Sequence, residues 1–267
     1  MLRRQTSPEG AVYYQSTLLA AAGVAHAFST RIGGVSQAPF DSLNLGNPNG
    51  LAKQDDLANI AENYRRLLAA IGLPDGTLLR VHQVHGPIVA FDRDQTTWDN
   101  SVCADAIVTR TAGRAASVRV ADCVPVLLAS NDGRVVAAVH AGWRGVIAGV
   151  VPTALKHFSD SKNIIAAIGP SIGMENFEVG PEVLQEFSTA FGNAAPIRRR
   201  PDGKGHVDLK AAIRLQLLHA GVDDSRIDVS DRCTVRDAAE FYSHRRDAGL
   251  TGRMAAVISP SAQPGPA

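Results

Sequence analysis

The sequence predicts an α+β fold with mixed sheets and helices packed on the outside, and three observations carry that prediction. Asn131-Asp132-Gly133 is a tight-turn signal between two apolar runs, 125–129 and 134–140, so these strands pair antiparallel. The second run leads through a glycine-rich turn into a helical pattern at about 146–158 and another strand at 164–168, a right-handed crossover between parallel strands. Antiparallel and parallel signals thus coexist in one stretch. Finally, apolar segments recur at short intervals with turn residues between them and no linker or repeat divides 10–258, so residues 1–267 read as one domain with its core there.

The individual elements follow in order. The clearest helical period runs from about Asp56 to Ile71, where Leu57, Ile60, Tyr64, Leu67 and Leu68 share a face, Asp55 caps the first turn, and Glu62, Arg65 and Arg66 point outward. After Gly72 and Pro74, strands fit 77–84 and 88–91 around a turn at His85-Gly86. Further strands fit 104–109, 117–121, 125–129, 134–140 and 164–168. Helices fit 181–191, with proline at the first position, and 209–220, ended by Gly221, and a last strand fits 254–258. Proline and small residues dominate 259–267, which reads as a disordered tail.

A hydrophobic fraction of 45% in 267 residues is enough for a substantial core. Lys and Arg total 27 against 26 Asp and Glu, so no overall field attracts nucleic acid or an acidic membrane surface, and any anion site must be local. No apolar run is long enough for a membrane span, and no apolar stretch follows Arg3 and Arg4 to make a secretion signal. Cys103, Cys123 and Cys233 are odd in number and far apart, which suits free thiols in a reducing, cytoplasmic setting.

The chemistry concentrates in His85, Cys123 and His140. Each alone reads as a core residue. Both histidines, however, stand where an apolar run meets glycine, Gly86 in one case and Gly142 and Gly145 in the other, which lets the backbone turn sharply beside a ligand. Two imidazoles and a thiolate are donors that a borderline ion such as zinc prefers, and three protein ligands leave a fourth position open. Asp122 is a candidate to orient a ligand or act as a base, and His82, at an odd strand spacing from His85, is at most a supporting residue. A cationic constellation lies apart: Arg31 beside Gly33-Gly34, and Tyr242 with Arg245 and Arg246, could hold a phosphate or carboxylate. The chain has neither of the common glycine-rich nucleotide loops, no Gly-x-Ser-x-Gly elbow and no Cys-x-x-Cys pair.

Thr30-Arg31-x-Gly33-Gly34-Val35-Ser36, Leu43-Asn44-Leu45-Gly46, Gln83-Val84-His85-Gly86, Ala121-Asp122-Cys123-x-Pro125-Val126, His140-Ala141-Gly142-Trp143-Arg144-Gly145, Ile168-Gly169-Pro170-x-Ile172 and Phe241-Tyr242-Ser243-x-Arg245-Arg246, in this order, resemble the YfiH-like laccase-domain family. That family was first labelled multicopper polyphenol oxidase and is now described as purine nucleoside phosphorylase. The resemblance implies an α+β fold akin to that of deamidating bacterial toxins with a cysteine-hydrolase site, and zinc, or secondarily copper, on His85, Cys123 and His140. It implies phosphorolysis of adenosine, inosine and methylthioadenosine, with adenosine deamination alongside. The partners are then a nucleoside and phosphate, with no nucleic acid or membrane involved and the oligomeric state left open.

The matching motifs nominate Cys123, His140 and Asp122 as catalytic, and Arg31, Asn44, Arg144, Tyr242, Arg245 and Arg246 as substrate- or phosphate-binding. His244 stands where the family more often has Tyr. An alternative reading is a cysteine hydrolase or amidase with Cys123 as nucleophile and His140 as base. Multicopper oxidation needs many histidines, including His-x-His pairs, whereas this chain has eight histidines and no such pair.

Overall fold

Alternation along the strands decides the layering. A computed structural model of the chain describes residues 2–48, 50–92 and 99–262. Its larger sheet has seven strands in the order β1 (Leu2–Thr6), β2 (Val12–Ser16), β3 (Ala25–Ser29), β16 (Met254–Ser259), β8 (Arg114–Val120), β4 (Thr77–His82), β6 (Asp99–Cys103). The second has six, in the order β15 (Ile227–Val229), β11 (Ile164–Ile168), β9 (Val124–Ser130), β10 (Val136–Ala141), β7 (Ala106–Thr109), β5 (Val89–Phe91). One face of β16, through Met254, Ala256 and Ile258, packs on Leu127 and Ala129 of β9 and on Val136 and Ala138 of β10, so the sheets stack face to face.

Helices cover both outer faces. Ala255 and Val257 of β16 turn the other way, onto Ile60, Tyr64, Leu67 and Leu68 of α2 (Leu57–Ala70). Val126 and Leu128 of β9, with Ala137 and Val139 of β10, meet α3 (Trp143–Ile147), α4 (Val150–Leu155), α5 (Pro181–Phe191) and α6 (Leu209–His219). Strands β9, β10 and β11 are therefore buried on both faces, which is why they read as continuous apolar runs rather than alternating ones. The α+β class with outer helices is what the sequence predicted.

The turn at Asn131-Asp132-Gly133 joins β9 and β10 in an antiparallel pair, with Ala129 opposite Val136. Strand β11 is antiparallel to β9 as well, so β10 and β11 run parallel with β9 between them.

Several local readings need correction. The helix expected over 146–158 is two short ones, because Gly149 sits at φ 76° and breaks the hydrogen-bond ladder between α3 and α4. Asp56, not Asp55, caps α2 by accepting from Ala58 N–H, while Asp55 is buried and binds the Asn44 and Asn59 amides. Leu57, the first residue of α2, is 75% exposed and does not join Ile60, Tyr64, Leu67 and Leu68 in the packed face. Strand β4 ends at His82, since the next residues leave the ladder to make the His85 turn.

Strands β1 to β3, the short α1 (Thr17–Ala21) and a three-stranded sheet of β12 (Glu178–Val179), β14 (Gly205–Val207) and β13 (Ile197–Arg199) were not foreseen. The disordered tail expected over 259–267 does not include its first residues, because Ser259 is buried in β16 and Ser261 N–H donates to Gly133 O, while 263–267 lie outside the described residues.

Candidate metal centre

The three donors lie where the chain passes between the stacked sheets. Cys123 stands between β8 in one sheet and β9 in the other, and His85 lies on the passage from β4 to β5. His140 is near the end of β10, where the register sets it opposite Pro125 and so diagonal to Cys123. Each crossing needs a sharp backbone turn. His85 (φ 62°) and Asp122 (φ 90°) accordingly adopt left-handed conformations that cost a non-glycine residue about 1–3 kcal/mol, the kind of strain that clusters at working sites.

Asp105, on a third passage from β6 to β7, offsets that cost. Its side chain is fully buried, and it accepts N–H bonds from Val84 at 3.2 Å, His85 at 2.9 Å and Gly86 at 2.7 Å, so one carboxylate caps the whole His85 turn. The same group lies 2.8 Å from His140 Nδ1. A proton on Nδ1 directed at this carboxylate leaves Nε2 as the donor atom toward the cluster. Asp105 thus holds both histidines at once.

The ligand atoms of His85, Cys123 and His140 lie within 4.8 Å of one another, and the two imidazole rings meet edge to face with centroids 4.8 Å apart. His85 is exposed, Cys123 is half-buried and His140 is buried, so the cluster opens on one side. Gly142 is required here: a Cβ on it would lie 2.9 Å from His85 Cδ2 and 3.1 Å from Cys123 Sγ. Burial alone would raise the Cys123 thiol, but the charge and hydrogen bonds of His140, with a smaller contribution from His85, bring it down to about 6. His140 answers in the opposite sense: burial disfavours its charged form, yet the Cys123 thiolate and Asp105 raise it to about 9. Burial likewise opposes the Asp105 charge, and the His140 and backbone hydrogen bonds overcome it.

The donor set fits a zinc-like ion. Two nitrogen donors and a thiolate already drawn toward its charged form suit it, and a tautomer-fixing carboxylate stands behind one histidine. The cluster lines a cavity of about 460 Å³, in the range of small-molecule sites. Arg119, Arg245 and Arg253 make its wall cationic, His244 adds an imidazole, and Trp143 and Phe177 supply aromatic surface.

Of the other residues nominated from sequence, Arg245 and Asp122 line this cavity. Asp122 is no free base: Oδ1 accepts from the Thr234 hydroxyl at 2.6 Å and Oδ2 from Arg245 N–H at 2.7 Å, so it ties the Arg245 segment down beside Cys123. Arg31 lies elsewhere, stacked over Tyr242 at 4.8 Å and paired with Asp41. The N–H groups of Gly33 and Gly34 both donate to Ser42 Oγ at 3.1 Å, so the double glycine seats a hydroxyl of the chain itself rather than an oxyanion.

Tyr242 is fully buried with its hydroxyl donating to Phe40 O, so it offers no stacking face. Arg246 binds Thr234 O and Phe241 O and pairs with Asp247, which makes it a clamp for its own loop. Arg144 stacks on Trp143 at 4.3 Å and does not line the cavity. Asn44 is buried, its Oδ1 accepting from Arg253 N–H at 2.9 Å, so it acts on the cavity only by fixing Arg253. His82 is exposed and outside the cluster.

Sequence reading missed Asp105, Arg119 and Arg253. Asp105 did carry a signal, a lone acid between Ala104 and the apolar run 106–108. The two arginines carried none, because only sheet register brings them to the cavity.

Fold and site together define a class: α+β proteins of two stacked sheets with a half-open cluster of two imidazoles and a thiolate, backed by a carboxylate, at one end. The profile of the multi-copper polyphenol oxidoreductase laccase family matches residues 25–261, and the chain belongs to that family. It is 40% identical to the purine nucleoside phosphorylase of Deinococcus radiodurans over 88% of each chain. It is also 41% identical to purine nucleoside phosphorylase YfiH of Escherichia coli, over 88% of this chain and 93% of that one. The crystal structure of YlmD from Geobacillus stearothermophilus superposes with a TM-score of 0.85 at 34% identity, covering 96% of this chain and 98% of that one.

Proposed function

We propose that the protein is a zinc-dependent purine nucleoside phosphorylase acting on adenosine, inosine and methylthioadenosine, with adenosine deamination as a second activity. The observation that carries this reading is one cavity in which a His–Cys–His donor set adjoins an arginine-rich wall and aromatic surface. Relatives named purine nucleoside phosphorylase over most of their length support it.

In phosphorolysis an oxygen of hydrogen phosphate bonds to the ribose C1′, and the C1′–N9 electron pair leaves with the purine. The proton carried by the phosphate ends on the base. Deamination replaces the C6 amino group by the oxygen of water and releases ammonia. His85, Cys123 and His140 would hold zinc, which supplies Lewis acidity when bound. Asp105 keeps His140 in the tautomer that presents Nε2, Asp122 fixes the Arg245 segment over the cavity, and the arginines attract the phosphate. Trp143 and Phe177 are the surfaces on which a purine can lie. Among the described residues no helix is long and apolar enough to cross a membrane.

The test is hypoxanthine release from inosine with and without phosphate, together with zinc analysis, on the parent and on His85→Ala and Cys123→Ala. Phosphate-dependent release that disappears with the metal in both variants supports the reading. Full zinc content in His85→Ala removes that residue from the site.

The drawn-down Cys123 thiol beside His140, with Asp105 behind, favours one second reading, a cysteine hydrolase in which Cys123 attacks an amide. Under it, turnover of an amide survives chelation, needs no phosphate and stops on thiol alkylation.

A further inference from the structure

We propose that Arg253, with Arg119 beside it, forms the phosphate end of the cavity, a preformed seat for a tetrahedral oxyanion next to the Cys123–His140 cluster. The reaction this seat would serve rests on the phosphorylase reading above, while the seat itself stands on the geometry.

Sheet register brings the two arginines together. Strand β16 pairs antiparallel with β8, Ala255 opposite Arg119 and Met254 opposite Val120, so residue 253 falls level with Ala121, one step beyond the ladder. Positions 253 and 255 share a sheet face with 119 and 121, which makes Arg119 and Arg253 diagonal neighbours on that face, about 7–8 Å apart along the backbone. The segment 44–46 lies across both stems. A Cβ on Gly46 would lie 2.7 Å from Arg119 Cδ and 3.6 Å from Arg253 Cβ, so only glycine lets the chain pass this close.

Arg253 is held in place on three sides. Its N–H donates to Asn44 Oδ1 at 2.9 Å, its carbonyl accepts from Leu45 N–H at 2.9 Å, and its Nη1 donates to Thr251 O and Gly252 O at 2.8 and 3.0 Å. These bonds fix the guanidinium but neutralise nothing, since every acceptor is a carbonyl or an amide oxygen. No carboxylate pairs with Arg253 among the described residues, whereas Arg65, Arg198, Arg200 and Arg246 each have one. Its Nε and Nη2 have no partner among the described residues.

A cation removed from bulk water, without a paired carboxylate and set beside a second cation, is poised for an anionic ligand. Burial and the neighbouring Arg119 both disfavour the Arg253 charge, partly offset by Cys123 and Asp122. A phosphate dianion relieves this, and the free edge of a guanidinium matches two of its oxygens. Of the four arginines that the motifs nominate, Arg31 and Arg246 are already matched to Asp41 and Asp247, Arg144 does not line the cavity, and Arg245, which does, is exposed to water, stacks on Phe177 and donates to Glu178 O, so none is a buried cation with this demand.

The experiment uses zinc-loaded full-length protein and the variants Arg253→Met, which keeps the stem under Gly46, and Arg253→Lys, which keeps the charge but loses the fork. Initial rates are measured against inorganic phosphate and against inosine, with zinc content and unfolding midpoint as controls. In Arg253→Met the KM for phosphate rises about 10- to 100-fold, as expected for losing charge-assisted hydrogen bonds, while that for inosine stays within about threefold. Arg253→Lys falls between Met and parent. An unchanged phosphate KM, or a rise confined to inosine, overturns the assignment.

If the parent does not cleave inosine, the phosphorylase reading falls and the seat is judged by calorimetric titration with inorganic phosphate. Binding that weakens at least tenfold in Arg253→Met keeps Arg253 as an oxyanion seat, and no binding to the parent removes it. Binding of inosine 5′-monophosphate that depends on Arg253, with none of inorganic phosphate, also overturns the proposal, because the cavity then reads a phosphate ester.

Discussion

Replacing Asp105 by Asn tests the logic of the centre most directly, because the substitution keeps the shape and removes only the second acceptor face and the charge. In the parent, Oδ1 accepts from His85 N–H and faces His140 Nδ1, while Oδ2 accepts from Val84 and Gly86 N–H. An amide can serve only one of these faces with oxygen. If its NH₂ turns to Oδ2's place, it confronts two backbone donors and the His85 turn loosens. If it turns to Oδ1's place, His140 must present Nδ1 as acceptor and its Nε2 carries the proton, which spoils that nitrogen as a ligand.

Either way two hydrogen bonds to a charged acceptor are lost, at about 1.5–3 kcal/mol each, so destabilisation of the metal-free fold by about 3–6 kcal/mol is expected. Because the group supports a histidine of the proposed zinc site, zinc affinity should fall about 10- to 100-fold. Urea unfolding of metal-free protein and zinc competition against a chromophoric chelator measure the two effects. A variant with zinc affinity within about threefold of the parent and an unfolding free energy within about 1 kcal/mol would refute the idea that Asp105 holds the donors.

Gly142→Ala places a methyl 2.9 Å from His85 Cδ2, so His85 must move, and zinc affinity should drop about tenfold with little change in the metal-free unfolding midpoint; chelator competition and thermal melts check this. In the metal-free protein, alkylation of Cys123 should rise with pH and level off above about 6, because its thiolate forms there rather than near 9. His140→Ala removes the stabilising charge, so the inflection in that rate profile should move upward; an unmoved inflection contradicts the assigned cause. Tyr242→Phe leaves the buried Phe40 carbonyl without its donor and should cost about 1–3 kcal/mol of stability while kcat/KM for inosine is unchanged, the reverse of what a stacking platform predicts.

Much of the frame was legible from local pattern. The hairpin at Asn131-Asp132-Gly133, the proline-started helix at Pro181 and the doubly buried runs of β9, β10 and β11 are properties of short segments whose neighbours along the chain decide them. The break at Gly149 was less legible, because a glycine inside an apolar helical pattern is often tolerated and only its positive φ shows a boundary. The three donors could be named because imidazole and thiol chemistry is conspicuous where apolar runs meet glycine. The arginines could not be ranked in that way. Arg31, Arg246 and Arg253 look alike in a string of letters, and which of them has a carboxylate partner depends on residues distant along the chain or on how each loop is folded.

By itself the sequence determined the α+β class, the order of most central elements and the identity of the two imidazoles and the thiol, since these follow from periodicity, turn chemistry and residue type. Tertiary structure alone decided that one buried carboxylate, Asp105, holds both histidines, that Tyr242 and Arg31 belong to packing, and that Arg253 lines the cavity with no carboxylate paired to it among the described residues. The reason is that hydrogen-bond and charge partners are fixed by distance in space, and here that distance is set by sheet register and by the passages of the chain between two stacked sheets.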